Sequence, residues 1–113
     1  MNEGKLCDRI VSAIHKRAVG RGLNRVTRVK IEVGPFRDLD RAIMQLRFRH
    51  ASRGTRLEGA SLVIGERPLH GQCLSCEAEV TVRERYDPCP HCGSYAIEYS
   101  GGDEVVVTGM EGR

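Results

Sequence analysis

The chain has no tryptophan, and aromatic residues of all kinds make up only 4% of its 113 residues. An aromatic-rich core is thereby excluded, and with 40% hydrophobic residues the interior must be modest and mostly aliphatic. No apolar run is long enough to span a bilayer, so no membrane association is expected. A signal-peptide pattern is also missing, because Met1-Asn2-Glu3-Gly4-Lys5 runs straight into an amphipathic segment. The expected setting is therefore the reducing cytoplasm, where thiols stay available for metal. There is no phosphate-binding glycine loop, no GxSxG elbow and no HExxH helix, so no hydrolytic or redox machinery emerges. Low-complexity tracts and long internal repeats are missing too.

Cysteine, by contrast, is concentrated. Four of the five form two pairs, Cys73-Leu74-Ser75-Cys76 and Cys89-Pro90-His91-Cys92, with twelve residues between them. Each pair turns two thiolates toward one point, and two such knuckles complete the tetrahedral shell of four sulfurs that Zn²⁺ accepts. The spacer is slightly shorter than in the commonest ribbon template, but a strand-turn-strand hairpin of this length brings the knuckles together. Cys73, Cys76, Cys89 and Cys92 are thus expected to hold structural zinc in preference to forming disulfides. The surrounding segment, residues 68–98, is too small and polar to bury a core alone. Structural zinc can supply roughly 10–16 kcal/mol of apparent folding free energy to such a piece.

The net charge of +3 hides an asymmetry. Residues 1–67 carry fifteen Lys/Arg against seven Asp/Glu, and residues 68–113 carry three against eight. The two parts can attract each other, or the first can meet an acidic partner.

Residues 3–20 read as a helix, with Leu6, Ile10, Ile14 and Ala18 recurring every four positions and Cys7 on the same apolar face. Gly20 or Gly22 can stop it. Val29, Ile31 and Val33 alternate with charged residues as a strand ending at Gly34-Pro35. Asp38 or Asp40 can cap a second helix, whose apolar face would carry Leu39, Ala42, Ile43 and Leu46. Residues 61–65 and 104–108 read as further strands. The expected fold class is α+β or α/β: a small sheet with two helices, plus an inserted four-cysteine, zinc-ribbon-like domain. The boundaries are residues 1–67 and 99–113 for the first domain and 68–98 for the insertion.

Arg37, Arg41, Arg49 and Arg53 lie at multiples of four and could form one basic stripe. No aromatics interleave with them and no base-reading motif follows, so nucleic acid is disfavoured. His15, His50, His70 and His91 are scattered and read as structural or solvent-facing.

Several segments taken in order carry a resemblance. Met1-x-Glu3 opens a helix with Leu6-Cys7, and Glu32-Val33-Gly34 follows. Gly54-Thr55-Arg56-Leu57-Glu58-Gly59-Ala60-Ser61-Leu62 comes next, then the two CxxC pairs ending Cys92-Gly93-Ser94. Gly102-Asp103-Glu104 precedes the closing strand. Over essentially its whole length the chain resembles the HypA/HybF family of hydrogenase maturation factors. The resemblance implies a nickel metallochaperone without catalytic turnover, in which residues 1–67 and 99–113 are a nickel-binding-type domain. It implies delivery of Ni²⁺, as transient cargo, to the large subunit of [NiFe]-hydrogenase together with a maturation GTPase, and in some organisms work with urease accessory proteins. A monomer or weak homodimer is expected.

The family's nickel site uses the N-terminal amine, backbone amide nitrogens and the imidazole of a histidine directly after the initiating Met. Met1, Asn2 and Glu3 match those positions here, and Asn2 stands in place of the usual histidine. A carboxamide is a far poorer nickel ligand than imidazole. Three explanations stay open: a natural or engineered loss of nickel affinity, replacement of the nitrogen by His15, His50, His70 or His91, or a relative that keeps only the docking role. Alternative functions are a zinc-ribbon nucleic-acid-binding module, a non-nickel-binding scaffold protein, and a thiol-disulfide enzyme marked by a depressed cysteine pKa.

Overall fold

Helix α1 spans Glu3–Gly20 and buries Cys7, Ile10, Val11, Ile14 and Ala18, the face its four-residue periodicity marks out. Glu3 lies in its first turn and Arg17 in its last, each at the end where the helix dipole favours its charge. The helix closes as a Schellman motif: Gly22 takes φ 69°, its N–H donates to Val19 O, and the Leu23 N–H reaches Ala18 O at 2.9 Å. The computed structural model describes residues 3–113.

Strand β1 (Val26–Val33), helix α2 (Arg41–Ser52) and strand β2 (Ser61–Glu66) follow. Then come β3 (Leu69–Cys73), β4 (Glu79–Val82), β5 (Ile97–Ser100) and β6 (Val105–Gly112). The strands form two three-stranded sheets, ordered β2-β1-β6 and β4-β3-β5. As expected of a sheet completed after the cysteine segment, the closing strand β6 lies beside β1. Two helices with small sheets and a four-cysteine cluster are the fold class read from the sequence.

The chain clusters into two units: Met1–Ile31, Leu39–Ile64 and Val107–Arg113 form one; Glu32–Asp38 and Gly65–Val106 form the other. In the first, α1 packs on α2, and Ile14, Val26, Val29, Ile31, Met44, Phe48 and Leu57 are almost fully buried. This interior is aliphatic but for Phe48. In the second, Cys73, Val80 and Cys89 form a small core with Ala78 and Ile97 packed against it.

Helix α2 turns a different face inward from the expected one. Met44, Phe48 and Ser52 are buried, whereas Ile43 is 41% and Leu46 48% exposed. The rotation is set by two polar side chains. Arg41 Nη1 donates to Ile64 O at 3.0 Å and Gln45 Nε2 to Leu62 O at 2.8 Å, laying the 41/45 side of the helix along the outer edge of β2. Asp40, not Asp38, is the N-cap, its Oδ1 accepting from the Ile43 N–H at 3.0 Å.

The cysteine segment also holds more strand than a single hairpin. Central β3 pairs antiparallel with β4, Gly71 opposite Val80, and with β5, Gly71 opposite Tyr99. Gly71 is required at this crossing because a Cβ would lie 2.6 Å from Glu98 O and 2.9 Å from Ile97 Cγ2. Among the described residues, no helix is long and apolar enough to cross a membrane.

Candidate metal centre

The two cysteine pairs are built to one plan. In the first, the Cys73 N–H donates to Ala78 O at 2.9 Å, and Cys73 O accepts from the Glu77 N–H at 2.9 Å. In the second, the Cys89 N–H donates to Ser94 O at 2.7 Å, and Cys89 O accepts from the Gly93 N–H at 2.8 Å. The fourth residue after each leading cysteine has a left-handed backbone, φ 64° at Glu77 and 79° at Gly93. Leading sulfurs accept from the chain as well: Cys73 Sγ from the Cys76 N–H at 3.5 Å, Cys89 Sγ from the His91 N–H at 3.4 Å. A bond from the Leu74 N–H to Ala96 O at 2.8 Å and a Ser75–Ser94 hydroxyl contact at 2.9 Å tie the turns together.

The result is a four-sulfur cluster. All four Sγ atoms lie within 4.8 Å of one another, with Cys73–Cys92 at 3.6 Å and Cys76–Cys89 at 3.8 Å. A tetrahedral ion with metal–sulfur bonds of about 2.3 Å sets sulfur–sulfur edges of about 3.8 Å, so the donor set fits such an ion. All five cysteines are free thiols.

Electrostatics divide the four. The Cys76 N–H lowers the Cys73 thiol to about 6, helped by the Ser75 N–H and hydrogen bonds from Cys92 and Cys76. At Cys92 the Ser94 N–H pulls downward, but the hydrogen bond with Cys73, burial, and the Cys76 and Cys89 thiols outweigh it and push Cys92 up to about 12. Clustered thiols cannot all ionise together unless a cation enters among them. Cys7 is separate: burial, then Asp8 and Glu3, raise it to about 11, and its Sγ rests 3.5 Å from Met44 O.

Of the three N-terminal positions, Met1 and Asn2 lie outside the described residues. Glu3 opens α1, and its carboxylate accepts from the Asp40 N–H at 3.1 Å. The histidines do not converge. His15 Nδ1 takes the Arg56 N–H at 3.5 Å, His70 Nδ1 sits 3.2 Å from Thr81 Oγ1, and His50 and His91 are exposed. Among the described residues the four cysteines are the one cluster of three or more metal-ligating side chains. Nor do the four arginines make a stripe along α2. Arg37 precedes the helix and donates to Asp103 O at 3.3 Å, and Arg53 is the C-cap residue. Sequence reasoning passed over Asp40 as the partner of Glu3, and Ser75 and Ser94 as the clasp between the turns. The one available signal was the small residue, Ala78 or Ser94, five positions after each leading cysteine.

Residues 1–112 match the family described as "Hydrogenase/urease nickel incorporation, metallochaperone, hypA". The chain belongs to this family. A "Hydrogenase maturation factor HypA" of Azotobacter chroococcum mcd 1 is 37% identical over 111 residues, covering 98% of both chains. Another, "HypA 2" of Bradyrhizobium diazoefficiens, is 32% identical over the same span. The fold is shared with the solution structure of the Ni metallochaperone HypA from Helicobacter pylori, at a TM-score of 0.68 and 17% identity over 99% of this chain and 97% of that one. HypA proteins are metallochaperone accessory factors, not catalysts, and the four-cysteine cluster can hold a metal ion.

Proposed function

We propose that the chain is a nickel metallochaperone-like accessory protein that serves nickel insertion into [NiFe]-hydrogenase, with Cys73, Cys76, Cys89 and Cys92 holding structural Zn²⁺. The observation that carries this reading is the full-length family match. Zinc is favoured for the cluster because it takes four thiolates tetrahedrally without redox chemistry. The cysteine-bearing domain is residues 68–98, and the nickel-binding-type domain is residues 1–67 with 99–113. Ni²⁺ is cargo, taken by the Met1 amine and the amides of Asn2 and Glu3. The partners are a maturation GTPase and the hydrogenase large subunit, with urease accessory proteins as a second client system, all in the cytoplasm.

Asn2 makes this site poorer in nitrogen than one with an imidazole beside the amine, and Ni²⁺ prefers nitrogen-rich, square-planar shells. The test is a Ni²⁺ titration of tag-free, zinc-loaded protein with a native N-terminus, followed by calorimetry and visible absorption beside Asn2→His. The expected result is one planar-type nickel in both, at least tenfold tighter in Asn2→His. Loss of nickel binding at the N-terminus in both proteins would overturn the cargo assignment.

A further inference from the structure

We propose that the outward face of α2 is a docking surface for an acidic, amphipathic helix of a partner protein. On α2, Ala42, Ile43 and Leu46 form a stripe of the kind a helix normally turns into its own core, with Leu39 just before the N-cap and half-buried. Here that stripe faces out. Ala42, Ile43 and Leu46 are all exposed, Ile43 to 41% and Leu46 to 48%, while the opposite side of the helix buries Met44, Phe48 and Ser52. Rolling α2 to hide the stripe would break the Arg41–Ile64 and Gln45–Leu62 hydrogen bonds and lift Phe48 from the interior. The helix therefore has two apolar faces, and the fold consumes only one.

Charge decides what the second face receives. Residues 41–53 contain Arg41, Arg47, Arg49, His50 and Arg53 and not one acidic residue. Arg47, Arg49, His50 and Arg53 are all exposed and lie beside or beyond the apolar stripe toward the helix C-terminus. An apolar strip of little more than one turn with cations at its rim matches a helix bearing Leu or Ile at the same spacing and Glu or Asp on its flanks. A nucleic acid fits less well, because the centre of the strip is aliphatic and offers nothing for a base to stack on. This surface stands independently of whether the N-terminus carries nickel, so its test uses nickel-free protein.

The probe is a synthetic 16-residue helical peptide, blocked at both ends, with leucines at i, i+3, i+4 and i+7 and glutamates on the flanks. It is titrated into the ¹⁵N-labelled, zinc-loaded full chain. Amide shifts confined to α2 and its caps are expected. Ile43→Asp and Leu46→Ser should each weaken binding at least tenfold while leaving the far-ultraviolet circular dichroism unchanged. A lysine-flanked peptide of the same periodicity should bind at least tenfold more weakly, and raised salt should shrink that difference. No binding, shifts centred elsewhere, or equal binding of both peptides would overturn the proposal. Concentration-dependent broadening of α2 without peptide, relieved by Ile43→Asp, would overturn it too, because the occupant would then be a second copy of this chain.

Discussion

The Glu3 carboxylate accepts the backbone N–H of Asp40 at 3.1 Å, joining the first turn of α1 to the N-cap of α2. That N–H, and after it the backbone N–H of Glu3 itself, holds the Glu3 carboxyl below its ordinary 4.5. The side chain adjoining Met1 and Asn2 is thus spent on a tether. A depressed folded pKa stabilises the tether above the ordinary carboxylate value, and the gain is lost as pH falls through the lower folded value. We expect Glu3→Ala to speed amide hydrogen exchange at Asp40 several-fold. Glu3→Gln, which keeps an acceptor, should retain most of the protection. A side-chain carboxyl NMR titration should place the Glu3 midpoint below 4.5.

The matched cysteine turns give a paired prediction. Both require a left-handed residue, but only the second has glycine there. A Cβ at Gly93 meets nothing within 4 Å, so Gly93→Ala has only the conformational penalty, about 1 kcal/mol. Glu77→Gly should stabilise by about 1 kcal/mol, because it relieves the same strain in the first turn. Guanidinium unfolding of the zinc-loaded protein measures both. Shifts of the same sign in the two variants would contradict the shared plan.

What could be read from the residues divides along physical lines. Helix α1 has one apolar face, so its periodicity and its Schellman glycine were sufficient. The cysteine cluster was legible because ligand spacing is a local property. The buried face of α2 is not legible from spacing, because Leu39, Ala42, Ile43 and Leu46 satisfy the helical period as well as the buried Met44 and Phe48 do. The choice between them rests on Arg41 and Gln45 reaching carbonyls of β2, about twenty residues away in sequence. Strand β5 was missed because Ile97-Glu98-Tyr99-Ser100 is short and polar and gains its stability from pairing with β3.

That two-faced helix separates structural from surface positions. Phe48 is 2% exposed, and Phe48→Ala should cost about 3–5 kcal/mol in chemical denaturation. Leu46 is 48% exposed, and Leu46→Ala should shift stability by no more than about 0.5 kcal/mol. If Leu46→Ala approached the cost of Phe48→Ala, the inward face of α2 would be wrongly assigned.

Metal loading should release fewer protons than four ordinary thiols would. Cys73 at about 6 is already ionised at neutral pH, whereas Cys92 at about 12 holds its proton until a cation displaces it. Calorimetry of zinc binding at pH 7 in buffers of different ionisation enthalpy should therefore give about three protons or fewer. Affinity should fall with pH throughout, about tenfold per unit for each proton released, and more steeply once Cys73 also binds its proton near 6.

Cys7 bears on how the centre can be watched. It is fully buried, its thiol is raised to about 11, and it lies beside Met44. A thiol that is both protonated and sealed from solvent is silent toward electrophilic labels under native conditions. Thiol labelling of the folded chain therefore begins at the cluster, whose Cys76 and Cys92 are exposed while Cys73 and Cys89 are buried, and protection of the exposed two becomes an occupancy gauge that needs no engineered probe.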